Sequence, residues 1–158
     1  MIAFDVLLSR LSGHDVAFIV IGGAAALVHG STRLTQDLDV VYQRSPPNLD
    51  RLAAALAPYH PYLRGVPPGL PFVWDATTLA RGLNYTLTTS LGDIDLLGEI
   101  PGGGTYEDLI AGAIEVQVFG TRCRCLSLSQ LIRAKRAAGR PKDLEALAEL
   151  EAIEEESA

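Results

Sequence analysis

Apolar residues in the first dozen positions recur at Phe4, Leu7, Leu8 and Leu11, the i, i+3, i+4, i+7 spacing of one helical face. This predicts an amphipathic helix from Ile2 to Leu11, ending at Ser12-Gly13. From Val16 to Ile21 the helical period disappears, and a short β-branched run bounded by Gly22-Gly23 predicts a buried central strand. A brief helix from Ala24 to Val28 follows the glycines and closes at His29-Gly30-Ser31. Asp37 to Tyr42 reads as the next strand. Ser45-Pro46-Pro47 then offers an N-cap and a first-turn proline for a helix from Asn48 to Leu56.

Prolines and glycines recur too often between Pro58 and Pro71 for regular structure, so this stretch is expected to be a loop of about a dozen residues. Asp75 can cap a helical turn that runs to Arg81. Leu83 to Thr89 and Ile94 to Leu97 alternate as a hairpin turning at Ser90-Leu91-Gly92. Pro101-Gly102-Gly103-Gly104 reads as a flexible break, and Tyr106 to Ile110 as a short helical patch. A second hairpin pairs Ile114 to Phe119 with Arg122 to Cys125 around Gly120-Thr121. Ser127-Leu128-Ser129-Gln130 resembles a capping box for a helix that Gly139 stops. Pro141 opens a last helix striped by Leu144, Leu147, Leu150 and Ile153. The order of elements implies an α+β fold, a mixed β-sheet with helices packed on it, not a doubly wound parallel sheet. One domain is expected over 1–158, with a core at 1–125 and C-terminal helices at 127–155.

Composition narrows the classes. A chain of 158 residues suits one hydrophobic core. An apolar share of 48% against 20% charged residues fits a soluble globular protein. No apolar run approaches the roughly 18 to 20 residues of a membrane span, and the N-terminus lacks the basic flank and apolar stretch of a secretory signal, so the expected compartment is the cytoplasm. The net charge of −6 argues against holding long nucleic acid by charge alone. Yet Arg133, Lys135, Arg136, Arg140 and Lys142 crowd into one decade of sequence, a local basic site inside an acidic whole. Cys123 and Cys125, one residue apart on a strand, lack the partners for a zinc site and the geometry for an easy bridge, and read as reduced core thiols. Trp74 reads as a core or loop anchor, and the three histidines lack metal-ligand spacing.

The chemistry concentrates in Asp37-Leu38-Asp39. On a strand, residues two apart share a face, which sets these carboxylates roughly 6 to 7 Å apart along the backbone. Like charges that close oppose folding unless a proton or a cation sits between them, and a divalent metal with oxygen ligands is the usual resolution. The pattern repeats at Asp93-Ile94-Asp95. If the two strands are neighbours, Asp95, inside the apolar strand, is favoured as a third ligand over Asp93, which sits beside the turn and can cap it. Pairing of an inward Asp95 with an arginine is the alternative. Gly22 and Gly23 let backbone N–H groups approach phosphate without a Cβ in the way. A glycine turn beside a carboxylate pair suggests nucleotide chemistry.

Ile21-Gly22-Gly23, then Arg33-x-Thr35-x-Asp37-x-Asp39, then Ile94-Asp95-Leu96, resembles the nucleotidyltransferase (polymerase-beta-like) superfamily, and within it the small prokaryotic members related to toxin nucleotidyltransferases of abortive-infection systems. Leu131-Ile132-x-x-Lys135 and Gly139-Arg140-Pro141-Lys142-Asp143-Leu144 resemble the helical segment that follows the core in those proteins. The likeness spans roughly residues 18 to 147. It implies a minimal nucleotidyltransferase fold and transfer of a nucleoside monophosphate from a nucleoside triphosphate to a hydroxyl acceptor, with release of pyrophosphate. Asp37, Asp39 and Asp95 would be the catalytic, magnesium-binding residues for two Mg2+ ions, and Gly22, Gly23, Ser31, Arg33, Lys135 and Lys142 would bind the nucleotide. The acceptor (an RNA end, a protein or a small molecule) is left open, as is an antitoxin partner chain; no membrane partner is implied. Gly23 stands where many relatives carry serine, which removes one side-chain phosphate contact. The alternative is a catalytically inactive nucleotide-binding or protein-interaction module on the same fold, and the placement of Asp95 separates the two readings.

Overall fold

Every residue of strand β1 (Phe18–Ile21) is buried, as its unbroken apolar run requires. The computed structural model describes residues 3–157; Met1, Ile2 and Ala158, and with them the expected helix start at Ile2, lie outside the described residues. Helix α1 (Phe4–Gly13) precedes β1, and α2 (Gly22–Val28) follows it directly. The chain continues through β2 (Asp37–Tyr42), α3 (Pro46–Leu56), a 3-10 turn (Ala57–Tyr59), β3 (Tyr62–Leu63) and α4 (Ala76–Arg81). Then come β4 (Asn84–Thr89), β5 (Gly92–Leu97), β6 (Glu99–Ile100), β7 (Gly104–Thr105), α5 (Tyr106–Leu109), β8 (Ile114–Val118), β9 (Thr121–Cys125), α6 (Leu128–Ala138) and α7 (Pro141–Ser157).

Seven of these strands form one mixed sheet in the order β3-β4-β5-β2-β1-β9-β8, and β6 pairs with β7 in a small separate ribbon. β1 runs antiparallel to β2 and parallel to β9, while β2 runs parallel to β5. The hairpins expected at β4–β5 and β8–β9 are both present. Helix α2 lies against β1 and β2, with α6 and then α7 beyond it, and α1 packs on α3. Leu7, Leu8 and Leu11 of α1 are fully buried, the outcome of the spacing that predicts that helix.

Local signals behave as their chemistry demands, with four exceptions. Asp75 accepts the Thr78 N–H at 2.7 Å, and Ser127 and Gln130 form a reciprocal capping box on α6, which Gly139 ends in the left-handed region at φ +65°. Ser45 sits at the N-cap of α3, but its hydroxyl donates to Gln43 and the proline-led helix start has no side-chain cap. The segment from Pro58 to Pro71 is not all loop, for it carries β3, an edge strand pairing with β4 through Tyr62 and Leu63. Gly102, at φ +72°, is not in a flexible break. A Cβ there would lie 2.7 Å from the Arg133 carbonyl, so the β6–β7 turn is pressed onto α6. Leu144 leaves the predicted stripe and is 52% exposed, while Leu147 and Leu150 are buried.

Cys123 and Cys125 are buried and unbridged. Burial pushes the Cys123 thiol up to about 11, and burial together with the neighbouring cysteine pushes Cys125 up to about 12. Both are therefore neutral thiols at physiological pH and poor nucleophiles.

One fully buried polar side chain ties three segments together. Asn48 accepts the Ala17 N–H at 2.7 Å through Oδ1 and donates through Nδ2 to the carbonyls of Ala17 at 3.1 Å and Gln43 at 2.7 Å. It thereby joins the approach to β1, the exit from β2 and the first turn of α3. Asn48→Ala would orphan these backbone groups in the interior, and an expected loss of about 2 to 4 kcal/mol follows from buried hydrogen-bonding groups left unpaired. Urea unfolding checks this; a midpoint unchanged from wild type would show that the clamp carries no stability.

Candidate active site

The parallel pairing of β2 with β5 places Asp37 opposite Asp93 and Asp39 opposite Asp95. Side chains alternate across a strand, so all four acids share one face of the sheet. Leu38, Val40, Ile94 and Leu96 point the other way and are fully buried. Carboxylate oxygens of Asp37, Asp39 and Asp95 lie within 4.8 Å of one another. Asp93 falls outside that triad.

The cluster is electrostatically strained. Burial first, and then the neighbouring Asp37 and Asp95, pushes Asp39 up to about 8. Asp37 is also raised, by burial and by Asp95, against the pull of Arg64. The buried Oδ1 of Asp39 has no hydrogen-bond partner, and Asp95 Oδ1 has none beyond its ion pair with the Arg64 guanidinium 2.8 Å away, the arginine pairing left open for an inward Asp95. Three convergent carboxylates are a donor set for a hard divalent cation.

Gly22 and Gly23 act by close approach. Gly22 has φ +64°, and a Cβ there would run into the Asp39 carboxylate. A Cβ on Gly23 would meet the Thr35 side chain. The pair therefore lets α2 start against Asp39 and lets the segment carrying Thr35 fold over it. The Thr35 hydroxyl donates to the Asp37 carbonyl at 3.0 Å and closes that turn.

A cleft of about 510 Å³ opens beside the acids. Its floor includes Asp37, Asp39 and Asp95; its walls include Gly23, Lys135, Arg140 and Lys142. A separate hollow between the end of α1 and β9, about 400 Å³, holds none of the three triad aspartates. Asp143, only 1% exposed, organises the basic wall. It accepts from Lys135 Nζ at 3.3 Å and from Arg140 Nε at 2.6 Å, and it caps the backbone N–H of Arg140. The bond from Arg140 holds the Asp143 carboxyl below its ordinary range, so it stays ionised.

The structure disposes the other sequence candidates differently. Ser31 and Arg33 line the cleft but face an acid of α7. The Ser31 hydroxyl donates to Glu149 at 2.6 Å, the Thr32 hydroxyl donates to the same carboxylate at 3.2 Å, and Arg33 stands 3.9 Å from it. Gly22 borders a smaller apolar recess behind Asp39 and not the main cleft. Trp74 anchors a loop by donating to the Ala53 carbonyl at 2.9 Å. Arg64 and Glu149 are site neighbours that sequence reasoning did not single out, and Arg140 and Asp143 are ones it named without assigning them to the nucleotide. Arg140 and Asp143 lie within the quoted helical motif, whereas Arg64 sits in a proline-rich stretch with no periodic signal.

No protein-family model and no curated protein sequence matches the chain. Solved structures do. The lincosamide antibiotic adenylyltransferase LnuA, with lincomycin bound, is similar over 96% of this chain and 98% of its own, with a TM-score of 0.60 and 14% identity. A candidate nucleotidyltransferase from Thermotoga maritima matches over 90% and 86% at a TM-score of 0.57 and 16% identity. The chain has the nucleotidyltransferase fold. An antigenic nucleotidyltransferase-like protein from Paracoccidioides brasiliensis has it too, over 92% of this chain and 72% of its own, with a TM-score of 0.56 and 15% identity. In this nucleotidyltransferase fold, Asp37, Asp39 and Asp95 form the acidic cluster that could bind metal. Among the described residues, no helix is long and apolar enough to cross a membrane.

The raised Asp39 carries a pH signature. Its folded-state pKa of about 8 lies above the ordinary 3.8, so the folded chain holds that proton more tightly than the unfolded one. The resulting stability is complete below about 3.8 and is lost as pH rises through about 8. In chelator, the melting temperature is expected to fall from pH 5 to pH 9, and Asp39→Asn is expected to flatten that fall and to melt above wild type at pH 8. Parallel curves for the two proteins across that range would rule the idea out.

Proposed function

We propose that this protein is a magnesium-dependent nucleotidyltransferase that moves a nucleoside monophosphate from a nucleoside triphosphate to a hydroxyl acceptor and releases pyrophosphate. The observation that carries the reading is the Asp37, Asp39 and Asp95 triad, with the buried Asp39 Oδ1 unpartnered, set at the foot of a basic-walled cleft in this fold. When bound, divalent ions hold the triphosphate and stabilise the entering and leaving oxygens.

The residues divide the remaining work. Asp37, Asp39 and Asp95 hold the ions, and Asp95, on the outer strand of the pair, accepts the proton of the attacking hydroxyl. Lys135 and Lys142 oppose the negative charge of the triphosphate from the cleft wall, with Arg140 beside them. Asp143 fixes Lys135 and Arg140 in the cleft wall through their hydrogen bonds to its carboxylate. Gly22 and Gly23 let the backbone at the start of α2 sit close to the acids and the phosphates. Ser31 and Arg33 contact the nucleotide once it competes with Glu149 for them. The end-to-end likeness to a lincosamide adenylyltransferase supports small hydroxyl compounds as the first acceptors to test.

Incubation with each labelled nucleoside triphosphate, Mg2+ and a panel of hydroxyl acceptors, followed by product analysis, tests the proposal. Label transfer and pyrophosphate release are expected, with a loss of at least about a hundredfold in Asp37→Ala or Asp39→Ala, the scale of removing a principal electrostatic stabiliser. Equal transfer by wild type and both variants would refute the assignment.

A further inference from the structure

Arg64 lies among the acids and has no role in the chemistry above. It directly follows β3 at the sheet edge, and its backbone N–H continues that pairing by donating to the Thr86 carbonyl at 3.0 Å. Its guanidinium reaches back over β4 and β5. Nη2 lies 2.8 Å from Asp95 Oδ1, Nε lies 3.2 Å from Asp93 Oδ2, and Nη1 lies 3.7 Å from Asp37 Oδ2. Among the described residues, no ion pair within 4.0 Å joins Arg64 to Asp39.

These contacts are close without being well aligned. Arg64 Nε and Asp95 Oδ1 both lack a hydrogen-bond partner, and the hydrogen bond that Nη2 makes goes to the Leu87 carbonyl at 2.7 Å. A guanidinium locked onto a carboxylate presents parallel N–H···O bonds, and none is formed here. Arg64 is thus a permanent positive charge held near Asp93 and Asp95 by proximity and one backbone bond. Its side chain keeps 27% of its surface open to solvent. Such a charge is well placed to neutralise the outer acids, and no aligned hydrogen bond ties it to either.

We propose that Arg64 is a built-in counter-ion for Asp95 and its neighbour Asp93, which bars a divalent cation from the Asp95 side of the triad until a nucleoside triphosphate is present. The first ion then belongs to the Asp37–Asp39 half, the part of the cluster farther from the guanidinium. A second ion would meet a fixed positive charge within contact range of its Asp95 ligand. An arriving triphosphate changes both sides of that balance, because its negative charge attracts the ion and offers Arg64 another anion. The proposal rests on the metal-site reading of the three aspartates.

Counting bound Mn2+ by electron paramagnetic resonance tests it without reference to turnover. Wild type is expected to hold one Mn2+ per chain alone and two with a non-hydrolysable triphosphate. Arg64→Gln, which removes the charge and retains a donor for Leu87, is expected to hold two without nucleotide, with the second bound on the order of tenfold tighter or more than in wild type. Arg64→Lys keeps the charge and is expected to remain at one. Two ions on nucleotide-free wild type, or an unchanged count in Arg64→Gln, would overturn the role of Arg64 and leave the metal site standing. No Mn2+ on either protein would overturn both. Folding of Arg64→Gln only on Mn2+ addition, seen by circular dichroism, would support the proposal, and the wild-type counts decide the matter if that variant does not fold.

Discussion

Parallel, in-register pairing of β2 with β5 sets four like charges side by side on one face of a sheet. The opposite face enforces that arrangement. Leu38, Val40, Ile94 and Leu96 are fully buried there, and each such side chain contributes about 1.5 to 3 kcal/mol of transfer free energy. A slip of one residue would turn them into the cleft and drive the aspartates into the core, so the register is held by apolar burial against electrostatic repulsion. The repulsion appears as raised pKa values on Asp37 and Asp39 and as a buried Asp39 oxygen without a partner. A cation relieves it. Arg64 supplies part of that relief in the protein alone, and the donor set suits a divalent ion for the rest.

The remainder of the cleft is built to balance those acids. α6 and α7 meet at Gly139, whose left-handed backbone turns the chain so that Lys135 and Arg140 converge on Asp143. A carboxylate buried to that degree is tolerable because both its oxygens are bonded to cationic groups. The outcome is a cleft with an acidic floor and a basic wall. The glycines after β1 contribute by what they lack, since any side chain on Gly22 would displace Asp39 from the cluster.

Much of this was legible in the chain. The helical spacing of Phe4, Leu7, Leu8 and Leu11, the capping box at Ser127 and Gln130, the Asp75 cap and the two hairpins all depend on residues within a few positions of one another, and the structure agrees with them. The Asp-x-Asp alternation likewise implied carboxylates on one strand face. Errors gathered where local rules compete or fall silent. β3 was hidden in a stretch of prolines and glycines because a two-residue edge strand leaves no alternation to detect, and Leu144 fits the stripe of α7 by spacing yet finds no neighbour to cover it.

Local sequence therefore accounted for the elements, their ends and the carboxylate pairs, since backbone period, caps and turn residues act over one or two turns of chain. The folded chain alone decided which strands became neighbours, and so whether Asp95 stood beside Asp39. It also decided that Arg64, 31 positions before Asp95 in sequence, would stand 2.8 Å from it, and that Glu149 would take the hydroxyl of Ser31 across 118 positions. Contacts of that range follow from the packing of whole elements, which no periodicity along the chain records.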